Sequence, residues 1–399
     1  MPIVEIPLAA RGLTGEKSPE RLKTGDLIIG QNLNFSTGNL VEKEGGSAKV
    51  NTVAIPGAPA IMAGSDWWPD AVTQREIIAT ADGKIYKDDM TGAFATVLKS
   101  GLGATRVTQF VEGGGEASGA ARKLFMPNGF NTVQVLSADA LTTHDLATPP
   151  VDWAANNQPT FLVNFRGVLV GGGNANFAHQ LYASIGANHE DFTGVGSWVL
   201  PVYPGSGQRI VAGLVAFGRI WIWKYPGNIF FVEDSAAAVS GWFAKQVSSQ
   251  YGAAPTPHAV AQIDESVVAF VSNTGSIVLM QESAGSLTGV EFADLTKVLN
   301  LRDIVRGEFN LSRLDRVQAR WYDDRKQLYV LYAASGSSVE NRRLVIDFNQ
   351  ERTRVSLSTK DVSESLWFGL DANRIPRPRA GDASGFIWKL DQTARVVAV

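Results

Sequence analysis

A short turn unit recurs along the chain at a nearly constant interval, and this recurrence constrains the fold more than any other feature. The unit is an apolar strand, a turn closing on glycine, one further residue and then Ile or Val. Its glycines are Gly83, Gly227, Gly275 and Gly385, together with Gly129 in a looser form in which Val133 follows four residues later. They are separated by 46, 98, 48 and 110 residues. Each long interval contains a hairpin without the glycine, so the pattern predicts seven units of about 46 to 55 residues.

This period is typical of four-stranded propeller blades. A four-stranded sheet of short strands cannot cover its own apolar faces, and a ring of stacked sheets leaves no terminal face exposed. The sequence therefore predicts an all-β fold, a β-propeller of about seven four-stranded blades, with six to eight allowed by the spacing. The alternative is a set of ordinary β-hairpins whose spacing is accidental.

The pattern divides the chain into an irregular N-terminal arm, residues 1–59, and a β-propeller, residues 60–399. The arm is rich in proline and glycine, which favours packing on the propeller or on a neighbouring subunit over independent folding. Helical spacing of apolar residues occurs only from Asp294 to about Leu311, and we expect an insertion around 294–316. The terminal strand 396–399 is suited to complete the last blade.

Charge and hydropathy exclude several classes of protein. The net charge is -3 and the isoelectric point is about 5.9, whereas a dedicated nucleic-acid binder usually carries a basic stripe. The chain has no cysteine, which rules out disulfides and thiolate metal sites. No segment approaches the ~18 apolar residues that span a membrane, and the first residues lack the pattern of a signal peptide. We expect a protein made in the cytoplasm without a membrane anchor.

A search for catalytic chemistry yields no site. The chain lacks the phosphate-binding loop and the nucleophile elbow. Its histidines, His144, His179, His189 and His258, show no metal-ligand spacing. The adjacent carboxylates 88–89 and 323–324 fall at predicted turns, whereas a glycosidase needs two carboxylates across one cleft. We predict no catalytic residue, no cofactor and no metal, and therefore not an enzyme.

The ten tryptophans suggest a carbohydrate-binding function. Core packing explains most of them better, because they lie inside predicted strands. Those strand tryptophans are Trp221, Trp223, Trp321, Trp367 and Trp388.

The most basic stretch of the chain runs through the expected insertion. Its arginines Arg302, Arg306, Arg313 and Arg316 are candidate contacts to a neighbouring subunit or to DNA in a channel. The alternative is a solvated surface that Asp303, Glu308 and Asp315 partly neutralise.

Two stretches resemble the tail propeller proteins of tailed bacteriophages. Residues 25–46, GDLIIGQNLNFSTGNLVEKEGG, resemble an N-terminal signature in which an Asn-containing segment is followed by Gly-Leu, a charged residue and a Gly-rich end. Here Asn39 separates Gly38 from Leu40, and Glu44 stands where Arg is common. Residues 275–357 follow the strand order of the nozzle and packaged-DNA-stabilisation proteins of short-tailed phages.

This resemblance implies a structural virion protein. The expected function is that of a subunit of a phage tail nozzle or head-to-tail connector, a homohexamer whose channel retains and then conducts the DNA genome. The implied partners are further copies of the chain, other phage tail or adaptor proteins, and double-stranded DNA that passes non-specifically. The implied location is the virion tail, assembled in the host cytoplasm. A carbohydrate-binding or carbohydrate-active β-propeller and a cytoplasmic interaction scaffold are the alternatives.

Overall fold

The computed structural model describes residues 12–13, 26–27, 31–35, 41–70, 72–88, 92–115, 121–139, 141–234, 241–348, 353–359, 364–371 and 374–392. Within them the chain forms seven four-stranded antiparallel sheets that follow one another around a ring. The predicted all-β propeller is therefore confirmed, and the number of blades is seven.

The strands are numbered in chain order. Five short strands precede the first complete sheet: β1 (Gly12–Leu13), β2 (Asp26–Leu27), β3 (Leu33–Phe35), β4 (Val41–Lys43) and β5 (Gly46–Lys49). Blade 1 contains β6 (Ile61–Trp67), β7 (Arg75–Thr80), β8 (Ile85–Lys87) and β9 (Thr96–Lys99). Blade 2 contains β10 (Val111–Gly113), β11 (Lys123–Met126), β12 (Gln134–Leu136) and β13 (Thr143–Asp145). Blade 3 contains β14 (Phe161–Phe165), β15 (Val168–Gly172), β16 (Gln180–Ala183) and β17 (Trp198–Pro201).

The remaining blades follow the same order. Blade 4 contains β18 (Arg209–Ala216), β19 (Arg219–Tyr225), β20 (Ile229–Glu233) and β21 (Phe243–Ser248). Blade 5 contains β22 (Val260–Gln262), β23 (Val267–Val271), β24 (Ile277–Glu282) and β25 (Val290–Asp294). Blade 6 contains β26 (Gln318–Tyr322), β27 (Gln327–Ala333), β28 (Glu340–Asp347) and β29 (Arg354–Ser358). Blade 7 contains β30 (Ser365–Leu370), β31 (Pro376–Gly381) and β32 (Ile387–Gln392), with β5 as its fourth strand.

The repeated turn glycine has a backbone cause. Gly83, Gly129, Gly275 and Gly385 all have φ between +75° and +82°, a conformation that glycine adopts without steric cost. In blade 4 the left-handed residue is Asn228, with φ +72°, rather than the neighbouring glycine at 227. The two blades that lack the motif carry a left-handed glycine in the corresponding loop, Gly173 and Gly336. The sequence pattern did not mark these two because Ala175 and Ser338, not Ile or Val, follow two residues later.

Strand β5 closes the ring. It pairs antiparallel with β32, with Ala48 opposite Lys389 and Lys49 opposite Trp388. The predicted boundary at residue 59 therefore differs from the structure, in which the chain belongs to the ring from residue 46 onward. Sharing one sheet between two distant segments covers a strand edge and holds the first and last blades together without a covalent link. The segment 396–399, predicted to complete the last blade, lies outside the described residues.

The arm packs along the outer strand of blade 6 before it joins blade 7. The Asn32 amide N–H donates to the Leu357 carbonyl (2.7 Å), and the Thr359 amide donates to the Asn32 side chain (2.8 Å). Glu44 forms an ion pair with Arg343 and accepts a hydrogen bond from Ser358 Oγ (2.6 Å). These contacts place Asn32 and Glu44 on the propeller of the same chain.

Two short helices occupy the segment predicted as an insertion. They are α1 (Leu295–Val298) and α2 (Arg302–Glu308), followed by a 3₁₀ turn, Leu311–Arg316. Asp294 caps α1, because its carboxylate accepts the Lys297 amide N–H. The Phe309 ring stacks on Tyr332 with centroids 3.8 Å apart. The insertion is therefore fixed to the loops that join the second and third strands of blades 5 and 6.

The core lies between the blades. Where inner strands of neighbouring blades approach, glycine faces a large ring: a Cβ on Gly64 would lie 2.4 Å from the Trp367 ring, and one on Gly213 would lie 2.3 Å from Phe161. Two glutamines also join neighbouring inner strands. Gln109 accepts the Leu162 amide N–H (2.8 Å) and Gln318 accepts the Leu366 amide N–H (3.1 Å). These contacts fix the inner strands that surround the centre of the ring.

Candidate functional site

The inner strands surround a central channel that contains a cavity of about 300 Å³. Its polar lining residues come from blades 1, 2 and 6 and from the turn before blade 5: Ser65, Asp66, Gln109, Gln318, Arg320 and His258. A cavity of this volume is at the lower end of the range for small-molecule sites. The central channel is therefore the first candidate site.

Arg320 is the third residue of β26 and extends into this region. Its Nε donates to the Leu366 carbonyl (3.2 Å), its Nη1 to the Ala319 carbonyl (2.9 Å), and its Nη2 to Nδ1 of His258 (2.7 Å). Burial lowers the pKa of Arg320 to about 10. The guanidinium consequently remains charged at neutral pH and is held by two blades and by the 3₁₀ turn before a third.

His258 lies in the 3₁₀ turn Pro257–Ala259, which Thr256 caps. Because arginine can only donate hydrogen bonds, Nδ1 of His258 must be the acceptor and the ring proton must be on Nε2. Burial and the neighbouring Arg320 charge lower the pKa of His258 to about 3, so the ring is neutral. A hydrogen bond to the Thr108 backbone partly offsets this effect, and Nε2 is the ring nitrogen left to donate it.

Asp66 is the carboxylate in the lining of the cavity, and its oxygens are already engaged. They accept the Leu370 amide N–H (2.7 Å) and the Gln74 side-chain amide (2.8 and 2.9 Å). Leu370 lies four residues after Leu366 on β30, which corresponds to roughly 13 Å at about 3.3 Å per residue. The Asp66 carboxylate and the Arg320 guanidinium therefore hydrogen-bond to opposite ends of β30.

A buried ion pair joins blade 7 to blade 1 beside the channel. The Glu76 carboxylate accepts the Trp367 indole N–H (3.0 Å) and lies 3.6 Å from Nε of Arg379. Burial raises the pKa of Glu76, and the positive charge of Arg379 opposes this effect. All three side chains are buried. This ion pair lies at the interface between blade 7 and blade 1, where the ring closes.

The four predicted contact arginines do not form one cluster. Arg302 and Arg306 are exposed one turn apart on α2. Arg313 is ion-paired with Asp315 at 3.1 Å. Arg316 is turned inward, with a side chain 12% exposed, and its positive charge acts on the buried carboxyls of Glu340 and Glu364. A contact to a neighbouring subunit or to DNA stays a prediction for all four. Arg302 and Arg306 are accessible for such a contact because their side chains are exposed.

The tryptophans give no exposed aromatic platform, and all ten lie in described ranges. Trp67, Trp153, Trp198, Trp221, Trp223, Trp242 and Trp367 are buried. Trp68, Trp321 and Trp388 are half-buried. Core packing thus accounts for three of the five strand tryptophans, Trp221, Trp223 and Trp367, and only in part for Trp321 and Trp388.

The histidines lie apart from one another. His144 contacts Glu190 at 2.8 Å, and His189 Nδ1 accepts the Gly114 amide N–H (3.1 Å). In the described ranges, no group of three or more His, Asp or Glu side chains is placed to hold a metal ion. Across those same ranges, no helix combines the length and the apolar character needed to cross a bilayer.

The contact between Arg320 and His258 was not predicted from the sequence. The available signal was an arginine within the apolar strand QARWY, because charged side chains are rarely placed inside strands without a polar contact. Its partner could not be inferred, because the two residues are 62 positions apart and lie in different blades.

Comparison with known proteins shows the fold and nothing more specific. No family model and no curated protein matches the chain. Among solved structures, the WD40 β-propeller domain of Doa1 is 10% identical, with a TM-score of 0.50 over 88% of this chain and 98% of that one. The computationally designed Ika8 protein is 12% identical, with a TM-score of 0.46 over 87% of this chain and 100% of that one.

Proposed function

We propose that this chain is a structural subunit of a phage tail, in a nozzle or head-to-tail connector ring that retains and then conducts the DNA genome. The observation that carries the proposal is a contact between the two stretches that resemble tail propeller proteins. Residues 25–46 and 275–357 are far apart in the sequence, yet Asn32 and Glu44 both contact blade 6. We take this contact as support for reading the two stretches as parts of one family pattern.

Glu44 departs from the family pattern, in which Arg is common at this position, and its contacts show how this chain accommodates the acidic residue. Its carboxylate binds Arg343 and Ser358, both on blade 6. The acidic residue at this position is therefore paired with a basic residue in the second stretch, and the two stretches are complementary as they stand in this chain.

Side chains in the central channel determine where DNA would pass. Arg320 extends into the channel and hydrogen-bonds to blade 7 and to the turn before blade 5, so side chains occupy space that a duplex would need. A duplex cannot pass through one propeller. The conduit of our proposal is formed between subunits, which requires an oligomer, and a hexamer is the state that the resemblance implies.

Arg302 and Arg306 are the side chains best placed to contact a neighbour or the conduit. Both are exposed on α2, and the helix is anchored through Phe309 to blade 6. A rigidly held, exposed pair of arginines suits a defined contact better than a mobile loop would.

No observation favours the carbohydrate alternative. Sugar-binding sites commonly use exposed aromatic rings, and the tryptophans of this chain are buried or half-buried. Retention on a glycan array would bring that function back into consideration.

Mass photometry of the full chain tests the proposal. We expect a species of six times the 42.8 kDa chain mass, formed by the chain alone or after addition of its portal or adaptor partner. The double variant Arg302→Glu/Arg306→Glu should shift the population toward the monomer, and Arg122→Glu, on blade 2, is the matched control. A strict monomer that is also absent from purified virions would contradict the proposal.

A further inference from the structure

The loop between β17 and β18, residues 202–208, is fastened to blade 4 by one lysine. Lys224 lies on β19 and is 0% exposed. Its Nζ donates to the Val202 carbonyl (2.9 Å), the Tyr203 carbonyl (3.2 Å) and Ser206 Oγ (2.9 Å). An ammonium group has three N–H donors and no acceptor, so the loop accepts every hydrogen bond that the charged lysine can donate.

The ammonium of Lys224 is buried without an opposite charge. Its three acceptors are neutral oxygens, and it forms no ion pair with any residue in the described part of the chain. The rings of Tyr203 and Phe230 have centroids 6.0 and 5.8 Å from Nζ. Burial disfavours the charged form of a lysine, and it lowers the pKa of Lys224 to about 8.

The elements packed against Lys224 do carry titratable side chains. Burial is nevertheless the cause of the lowered pKa, with no contribution from a charged neighbour. The titratable side chains on these elements are Tyr203 in the loop, Arg209 on β18, Glu233 on β20 and His179, whose carbonyl accepts the Val202 amide N–H.

The rest of the loop is weakly held. Val202 is buried, and its amide N–H donates to the His179 carbonyl (2.7 Å). Tyr203, Gly205 and Gly207 are exposed, and all three have a left-handed backbone, with φ of +45°, +82° and +67°. This conformation is uncommon for tyrosine. A loop with few buried contacts opens locally at a low free-energy cost.

Opening of the loop changes the affinity of Lys224 for a proton. In the open state water reaches the side chain, and its pKa returns to the ordinary value of about 10.4. We propose that the β17–β18 loop is a proton-linked strap: its opening takes up a proton from water on Lys224, and its closing releases one. The neutral amine of the closed state retains two of the three donors.

The direction of the pH dependence follows from linkage. Because the pKa of Lys224 is lower in the closed state than in the open state, the closed state is favoured as the pH rises from about 8 to about 10.4. The strap belongs to a single subunit, so its test does not depend on the proposed function.

Thiol labelling tests the strap, because the chain has no cysteine and a single introduced thiol is a unique probe. Val202→Cys places this thiol at a buried position of the loop, and Val195→Cys places it at a fully exposed position. The ratio of the two labelling rates at one pH measures the open fraction, since ionisation of the thiol affects both rates. With a pKa of about 8 in the closed state and about 10.4 in the open state, we expect this ratio to fall about tenfold from pH 7 to pH 9.

Three further variants isolate the role of the lysine. In the Val202→Cys chain, Lys224→Met should make the ratio independent of pH, whereas Lys245→Met, at an exposed position on β21, should leave the tenfold fall in place. Val135→Cys, buried in blade 2, reports global unfolding and should label more slowly than Val202→Cys.

Hydrogen exchange of the unmodified chain provides a second measurement that requires no variant to fold. With millisecond labelling, the protection factor of the Val202 amide should rise about tenfold between pH 7 and pH 9. The proposal is overturned if this protection factor is constant or falls with pH, or if Val135→Cys labels as fast as Val202→Cys.

Discussion

Glu340 is an ionisable side chain that is fully buried, so burial disfavours its charged form. Its side chain is 0% exposed. Burial raises the pKa of Glu340 to about 7; a hydrogen bond to its own backbone amide and the positive charge of Arg316 oppose this effect, and the negative charges of Glu364 and Asp315 add to it. The carboxyl is therefore half-protonated near neutral pH.

We predict that Glu340→Gln stabilises the protein in alkaline solution. Because the folded pKa exceeds the unfolded value, the stability from protonation is fully present below about pH 4.5 and is lost as the pH rises to about 7. The variant should increase the free energy of unfolding by roughly 1–3 kcal/mol at pH 8 and by less at pH 5. Urea denaturation at both pH values measures this difference.

The exposed turn carboxyl of Asp323 is the matched control, since Asp323→Asn changes charge without removing a buried group. An increase in the free energy of unfolding from Glu340→Gln that is equal at pH 5 and pH 8 would argue against a carboxyl that titrates between these pH values.

Single residues also mark the limit of what the pattern could predict. A glycine such as Gly83 is recognisable because its positive φ is a local requirement of the turn. Gly64 has an ordinary backbone conformation, and its role is to leave space for Trp367 of the neighbouring blade. That role depends on a contact some three hundred residues away, so no local pattern could reveal it.

The element whose role depends most on tertiary context is β5. Three of its four residues are exposed and one is half-buried, and their surrounding sequence resembles a loop. They form a strand because β32 offers an unpaired edge to which their backbone can hydrogen-bond. Backbone pairing with β32 therefore outweighs the low strand propensity of these residues.

We predict that removal of residues 1–50 opens the ring. Loss of β5 exposes the edge of β32, so we expect a decrease in Tm of roughly 10 °C or more and association through the free edge. Calorimetry and size-exclusion chromatography measure the two effects.

Two shorter truncations separate the contributions. Removal of residues 1–30 retains Asn32, Glu44 and β5, whereas removal of 1–45 retains β5 alone. We expect the Tm of the first variant to be close to that of the full chain. The Tm of the second should lie between that of the full chain and that of the chain without residues 1–50. If the chain without residues 1–50 has the same Tm as the full chain, pairing of β5 with β32 does not contribute to the stability of the ring.

At the scale of the whole molecule, charge distribution bears on the proposed conduit. The net charge is -3, and of the four arginines in the insertion only Arg302 and Arg306 are exposed. Each phosphate that a protein neutralises adds affinity and salt dependence. A conduit that must release DNA is served by few such contacts.

We predict weak, non-specific binding of duplex DNA. Fluorescence anisotropy at 50 and 150 mM salt should give a slope of log Kobs against log[salt] no steeper than about -2, as expected for two phosphate contacts. Arg302→Glu/Arg306→Glu should remove this binding, and Arg122→Glu should leave it unchanged. A slope near -6 or sequence-specific binding would indicate a dedicated DNA-binding surface instead.

The sequence by itself determined the all-β class and the blade period and predicted about seven blades, with six to eight allowed; the structure fixed the count at seven. Those properties follow from local requirements, a left-handed turn residue and alternating apolar strands, that repeat along the chain. Only the tertiary structure decided where the ring closes and which polar groups meet inside it. The ion pair of Glu44 with Arg343 joins positions 299 residues apart, and such pairings are set by how the blades stack around the ring.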